Sequence, residues 1–329
     1  MIQVTVLIAV YNAERTLRKT LDSLLAQSMG QWQAVCVDDA STDSSLSIIQ
    51  EYATRDERFR ISVLHENRGQ AHARNQGLLM AEGIYTCFLD ADDWLAPDAL
   101  AHVVRTFEEN ENTDCVLFDC RMVDDESGNE TAYPMEPFEV KTGKEAFLDS
   151  LTWKIHGVYA IRTALHIRYP YDETARSYSD DNTTRVHYYT SRQVRSCRGT
   201  YYYRQHSGSV THTVSPSRLN RLLADESMKR TLVQMGCGDD VLQMFEHQRW
   251  LTLIDTYMFY YAHRRGFSVA ERRDFLSVIQ RYWGDIHSEE DKFGYRHCDS
   301  WQSFLRQEEV YFFLRKIKKM IRFFDRSLL

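Results

Sequence analysis

Residues Val4 to Val10 form an unbroken β-branched and apolar run, the pattern of a strand buried on both faces of a sheet. Asn12 can cap the helix that follows, in which Leu17, Leu21, Leu24 and Leu25 share one face at helical spacing. The alternation continues with a strand over Trp32 to Val37, a helix over Ser44 to Tyr52 and a strand over Phe59 to Leu64. A helix over Gln70 to Met80 and a strand over Tyr85 to Leu89 come next. Pro97 suits the first turn of a helix reaching about Asn110, and Val116, Leu117 and Phe118 mark a fifth strand. Repeated β-α units predict an α/β fold with a mostly parallel sheet and helices on both faces. Ligands of such sheets bind beyond the carboxyl ends of the strands. Polar clusters fall at those ends: Tyr11-Asn12, Asp38-Asp39, Glu66-Asn67-Arg68 and Asp90-Ala91-Asp92-Asp93. Residues 121–215 are less regular, and from about Ser217 the pattern turns helical, with segments near 219–235, 240–265 and 270–283. The expected division is a domain over 1–215 and a helical region over 216–329.

The composition narrows the classes. A net charge of −7 over 329 residues excludes a uniformly basic nucleic-acid binder, and no nucleic-acid partner is expected. The 19 Tyr are many and suit ring-lined binding surfaces. The 7 Cys are odd in number and contain no Cys-x-x-Cys, so neither a disulfide framework nor a zinc module is indicated and a cytoplasmic location is expected. Cys36 and Cys87 sit in apolar runs as small core residues. No stretch approaches the roughly 20 apolar residues of a membrane span, and Met1 to Val10 lacks a basic leader region.

Several clusters could carry chemistry. Three carboxylates in Asp90-Ala91-Asp92-Asp93, directly after a buried strand, repel one another unless a cation sits among them. Their hard oxygens suit Mg²⁺ or Mn²⁺, and the same residues also suit a solvated loop or a helix cap before Pro97. Asp38-Asp39 can accept hydrogen bonds from a base or ribose, and Ser41, Thr42 and Asp43 can cap the next helix. Arg68 and Arg74 can meet an anion near a helix N-terminus or form surface ion pairs. Asp180 and Asp181 are credible general bases for a hydroxyl, or a solvated turn. His206 could ligate a metal or be a structural histidine.

Taken in order, Val4 to Ala13, Asp22 to Ser28, Val37-Asp38-Asp39-Ala40-Ser41-Thr42-Asp43, Asn67-Arg68-Gly69 with Ala73-Arg74-Asn75, and Phe88-Leu89-Asp90-Ala91-Asp92-Asp93 resemble the family 2 glycosyltransferases, whose fold is GT-A. The resemblance covers roughly residues 1–212. It implies that Tyr11 and Asp39 contact a nucleotide base and that Arg74 lies near the nucleotide, with Arg68 beside it. The Asp-x-Asp element maps onto Asp90, on the ribose side, and Asp92, on the metal. The family's Glu-Asp pair aligns with Asp180-Asp181; Asp replaces the Glu, either acid could be the base, and Asp181 is favoured. Tyr203-Arg204-Gln205-His206 resembles the segment closing the donor site, with His206 a metal or diphosphate contact.

The implied activity is inverting transfer from a nucleoside diphosphate sugar, a UDP-sugar above all, to a hydroxyl of a saccharide or lipid-linked acceptor in cell-surface polysaccharide assembly. Mn²⁺ or Mg²⁺ is the implied cofactor. The competing reading is a nucleotide-sugar-binding or nucleotidyltransferase-like protein without glycosyl transfer. A dinucleotide-binding dehydrogenase is disfavoured because no Gly-x-Gly-x-x-Gly follows the first strand. At the C-terminus, Val310, Phe313, Leu314, Ile317, Ile321, Phe324 and Leu328 share a helical face, with Arg and Lys elsewhere. That face suits the inner surface of an anionic membrane, which would place the protein peripherally on its cytoplasmic side, or burial on the protein's own core or a partner. The oligomeric state is left open.

Overall fold

The computed structural model describes residues 1–175, 177–205, 215–286, 301–306 and 309. The chain divides into two compact units, Met1–Thr213 and Val214–Leu329.

The first unit opens with β1 (Val4–Val10), α1 (Leu17–Leu25), β2 (Trp32–Asp38), α2 (Ser45–Arg55), β3 (Phe59–Val63), α3 (Gln70–Leu78) and β4 (Tyr85–Phe88). It continues through β5 (Trp94–Leu95), α4 (Ala99–Glu108), β6 (Thr113–Asp124), β7 (Glu130–Ala132), β8 (Val140–Thr142) and α5 (Gly143–Leu151). The last elements are β9 (Tyr159–Arg162), α6 (Thr163–Arg168), α7 (Ser179–Thr190) and β10 (Gln193–Gln205). The sheet order is β3-β2-β1-β4-β9-β6-β10-β5, with β7 on β6 and β8 on β10. β1 pairs in parallel with β2 and β4, β2 with β3, and β6 with β10. Among the described strands, only β9, inserted between β4 and β6, and the short strands β5, β7 and β8 make antiparallel pairs.

β1 is almost wholly apolar because both its faces are covered; its one polar residue, buried Thr5, donates its hydroxyl to Gln33 Oε1 at 2.8 Å. Val4, Val6, Ile8 and Val10 pack with Leu17, Leu21 and Leu24 of α1, while Leu7 packs on the other face with Val35, Val37, Ala73 and Leu78. Burying each such side chain stabilises by roughly 1.5–3 kcal/mol. Gly83 lets the turn before β4 press against β1: a Cβ there would lie 2.5 Å from the Thr5 backbone nitrogen.

Three local expectations change. Asn12 does not cap α1, whose N-cap is Thr16; its Oδ1 accepts from the Thr42 amide at 2.8 Å instead, in a left-handed conformation with φ 49°. A tie to the neighbouring strand-end loop outcompetes a local cap. Pro97 precedes the N-cap Asp98 of α4 and stands outside the first turn, where its carbonyl accepts from Ser28 at 2.7 Å. The irregular stretch 121–215 contains α5, α6, α7 and the 13-residue β10. The Thr142/Glu145 capping box that starts α5 is legible in the sequence as Thr-x-x-Glu.

The second unit holds α8 (Asn220–Gln234), α9 (Asp239–His263) and α10 (Val269–Asp285) around Leu222, Trp250, Leu253, Tyr257, Phe275 and Ile279. Buried Arg249 pairs with Glu246 and Asp285, each at 2.8 Å, which satisfies its charge inside this core. No described helix is long and apolar enough to cross a membrane. The amphipathic stretch Val310 to Leu329 lies outside the described residues.

Candidate functional site

The carboxyl ends of β1, β2 and β4 meet on one rim of the first unit. The Asp39 amide donates to the Val10 carbonyl at 2.8 Å, so the chain leaves β2 beside the end of β1. Asp39 is buried, and its two oxygens accept from the Arg68 and Gly69 amides at 2.9 and 2.8 Å. This clamp sets the turn that carries Arg68 and starts α3. Gly69 stands there at φ 92° and ψ 163°, a region essentially reserved for glycine. The second acid of Val37-Asp38-Asp39 therefore organises the third strand-end loop. Asp38 holds the Ser41 amide at 3.1 Å. Tyr11 is half exposed at the end of β1.

Arg74, on α3, is 2% exposed and lies 4.3 Å above the Phe88 ring and 5.4 Å from that of Tyr171. Its Nη2 forms a short ion pair with Asp90 and reaches Gln70 Oε1 at 3.4 Å. Burial works against this cation, but Asp90 first, then Tyr171 and Asp180, hold its pKa above the ordinary arginine value. Gln70 Nε2 in turn donates to Asp180 at 3.0 Å. One polar chain thus joins Asp90 after β4, Arg74 and Gln70 on α3, and Asp180 on α7. Asp180 and Asp181 occupy the first turn of α7, where the helix N-terminus favours carboxylates. The neighbours of Arg74 brace the same region: His72 and Asn75 bond Glu173 at 2.9 and 2.7 Å.

The acidic triplet divides its labour. Asp90 faces Arg74. Asp92 is half-buried, and its carbonyl accepts from Arg204 Nε at 2.8 Å. Asp93 is fully buried, accepting from the Tyr201 hydroxyl and the Arg204 amide, both at 2.7 Å. Burial, then the charges of Asp90 and Asp92, push the Asp93 carboxyl well above the usual range. Asp93, Tyr201 and Arg204 thus form the floor of the rim. Sequence reading singled out Asp90 and Asp92 and missed this floor, because its partners are supplied by β10. His206 lies outside the described residues.

The crowding of acids felt at Asp93 is what a cation beside Asp90 and Asp92 would relieve, and their hard oxygens suit Mg²⁺ or Mn²⁺. Among the described residues no three His, Cys, Asp or Glu gather as a complete protein cage. An ion here would therefore complete its shell with phosphate oxygens and water, as Mg²⁺ usually does.

Comparisons with known proteins bear on the family and the fold. The profile of the family described as "Glycosyl transferase family 2" matches residues 5–169. EpsH of Bacillus subtilis is 40% identical over 114 residues, 35% of this chain and 32% of that one. The poly(ribitol-phosphate) beta-glucosyltransferase of Bacillus spizizenii is 35% identical over 113 residues, 33% of this chain and 18% of its own. The matched stretch therefore spans a third or less of either relative. The crystal structure of S. aureus TarS 1-349 in complex with UDP shares the fold at a TM-score of 0.67 and 19% identity, over 94% of this chain and 91% of that one. Its complex with UDP-GlcNAc gives the same TM-score at 20% identity. The sheet, its rim of acids and these neighbours define a GT-A fold. Within that class, the chain belongs to glycosyl transferase family 2.

Proposed function

We propose that this protein transfers a sugar from a UDP-sugar to a hydroxyl of a saccharide or lipid-linked acceptor in cell-wall polysaccharide synthesis, with inversion at the anomeric carbon. The observation that carries the reading is the polar chain Asp90–Arg74–Gln70–Asp180, which ties the donor rim to the acid pair on α7. The UDP complex of a protein sharing the fold supports the donor class. The poly(ribitol-phosphate) glucosyltransferase among the relatives supports a wall-polymer acceptor.

Tyr11 would lie against the uracil. Asp39 would accept from the base through the lone pairs its two amide bonds leave over. Arg68 would meet the diphosphate beside the N-terminus of α3. Arg74, desolvated and oriented by Asp90, would hold that carboxylate toward the ribose. Asp92 would hold a Mg²⁺ or Mn²⁺ ion together with diphosphate oxygens, with His206 a further contact. That ion would neutralise charge developing on the leaving UDP. Asp181 would take the proton of the acceptor hydroxyl as its oxygen attacks the face opposite the UDP, forming the new C–O bond while the bond to the diphosphate breaks. Asp180, tethered by Gln70, would set the orientation of that first helical turn. Residues 1–215 would form the catalytic domain, and residues 216–329 a region for membrane or partner contact. The free cysteines of the described residues suit a reducing compartment, and we place the protein at the cytoplasmic face of the membrane.

UDP calorimetry with and without Mn²⁺, combined with turnover of a panel of UDP-sugars, tests the proposal. Asp92→Ala should abolish metal-dependent UDP binding. Asp181→Asn should spare binding and lower transfer by about 10²–10⁴-fold. Wild-type turnover in Asp181→Asn would place the base elsewhere, and absence of UDP binding would remove the donor assignment. Unchanged liposome binding after deletion of 310–329 would remove the membrane role of that segment.

A further inference from the structure

The first turn of α7, which carries Asp180 and Asp181, is fastened from outside the helix. α7 starts from Tyr178, held at φ 69°, and not from one of the usual capping residues Ser, Thr, Asp or Asn. The two residues after Asp181 supply the fastening. Asn182 Nδ2 donates to Asp172 Oδ2 at 2.8 Å, and Thr183 Oγ1 accepts from the Asp172 amide at 3.0 Å. Asn182 and Thr183 are both buried. Asp172 Oδ1 accepts in turn from the Thr174 amide at 2.9 Å, which fixes the carboxylate itself. Hydrogen bonds to an ionised carboxylate are roughly twice as strong as neutral ones. The tie from Gln70 to Asp180 is solvent-exposed, whereas those at Asp172 are partly buried and so less weakened by competing water.

The residue before Asp172 is tied to the donor rim. The Tyr171 amide donates to Asn75 Oδ1 at 2.8 Å, and the Tyr171 carbonyl accepts from Asn75 Nδ2 at 2.9 Å. Asn75 follows Arg74 on α3, and the buried Tyr171 ring lies 5.4 Å from the Arg74 guanidinium that pairs with Asp90. Two consecutive residues therefore face opposite elements. Tyr171 is gripped by α3 at Asn75, next to Arg74; Asp172 grips α7 at Asn182, next to Asp181. With both ends fastened, this short segment sets where the start of α7 stands relative to the rim. Its two anchors, Asn75 and Asn182, are chain neighbours of residues assigned to the chemistry, and neither has been given a part in it.

We propose that Asp172 is a positioning residue for transfer: by holding Asn182 and Thr183 it sets the reach of Asp181 toward the bond that breaks at the donor rim. This role rests on the transfer reading above, in which Asp181 is the base. A double-mutant cycle on the full chain tests it, with UDP release from saturating UDP-sugars as the signal and water as the acceptor. Rates are expressed per UDP-binding site counted by calorimetry, so loss of folded protein drops out. Asp172→Ala should lower kcat about 10–100-fold, the scale of a small misplacement of a reacting group, and leave the UDP Kd within about twofold of wild type. Asp172→Asn, which keeps the shape and the acceptor for Thr174, should lose less. In the Asp181→Asn background, Asp172→Ala should change the residual rate by less than about twofold, because the group it positions is already gone. A residue that only stabilises the fold would carry the same factor into both backgrounds. That equal factor, a wild-type kcat in Asp172→Ala, or a loss confined to UDP affinity would each refute the positioning role while the base assignment stands. Wild-type turnover in Asp181→Asn alone would instead refute the base, and the role of Asp172 with it.

Discussion

Asp90→Asn should destabilise the first unit more than Arg74→Met, although both break the same ion pair. The asymmetry follows from burial. Arg74 is 2% exposed, whereas the Asp90 side chain is 33% exposed. Neutralising Asp90 leaves a desolvated guanidinium with two ring faces and Gln70 at 3.4 Å. Stranding a buried charge costs about 3–5 kcal/mol, and the carbonyl that Asn retains puts the loss near the lower end. Removing Arg74 strands a carboxylate that water can reach, and the flexible apolar Met keeps contact with Phe88, so the loss should be about 1–2 kcal/mol. For a unit of this size each kcal/mol lowers Tm by roughly 2–4 °C, giving drops of about 6–12 °C and 2–8 °C. The double variant should cost less than the sum, with a coupling of about 1–3 kcal/mol. Because two units invite non-two-state melting, the assay is native-state hydrogen exchange of β1 and β4 peptides, read alongside Tm. A larger loss for Arg74→Met, or simple additivity, would refute the assignment of Arg74 as the buried partner.

Gly69→Ala should cost about 1–3 kcal/mol, because φ 92° with ψ 163° is strained for any other residue. It should also weaken UDP binding by disturbing the Asp39 clamp, which calorimetry and urea unfolding together would detect. Asp93 supplies a pH test. Its folded pKa lies above the unfolded value, so the unfolded chain releases this proton first as pH rises. The group's contribution is therefore fullest below about pH 4 and falls as pH climbs until folded Asp93 itself ionises. Asp93→Asn should remove that loss, so its Tm relative to wild type should improve between pH 4.5 and 7.5; a difference independent of pH would refute the raised pKa.

Much of the first unit was legible because its strands are covered on both faces. Burial of that kind writes continuous apolar runs such as Val4 to Val10, and α1 shows the helical period of Leu17, Leu21 and Leu24. β9 was not legible: Tyr159 to Arg162 is four residues long, and only its pairing with β4 and β6 makes it a strand. The long β10 was hidden for a related reason. Its residues are mostly half-buried and carry polar groups, so neither a run nor a clean alternation appears.

The acids, arginines and glycines of the rim were readable as residue types at strand ends, since chemistry of that sort sits where a parallel sheet terminates. Their partnerships were not. Asp39 with the amides of Arg68 and Gly69, Gln70 with Asp180, and Asp93 with Tyr201 join positions that local pattern cannot connect. By itself the order of apolar runs and polar strand ends determined the sheet, its parallel start and the family. Tertiary structure alone decided which charge is buried and which carboxylate serves the fold, because desolvation and hydrogen-bond geometry exist only once distant segments are packed together.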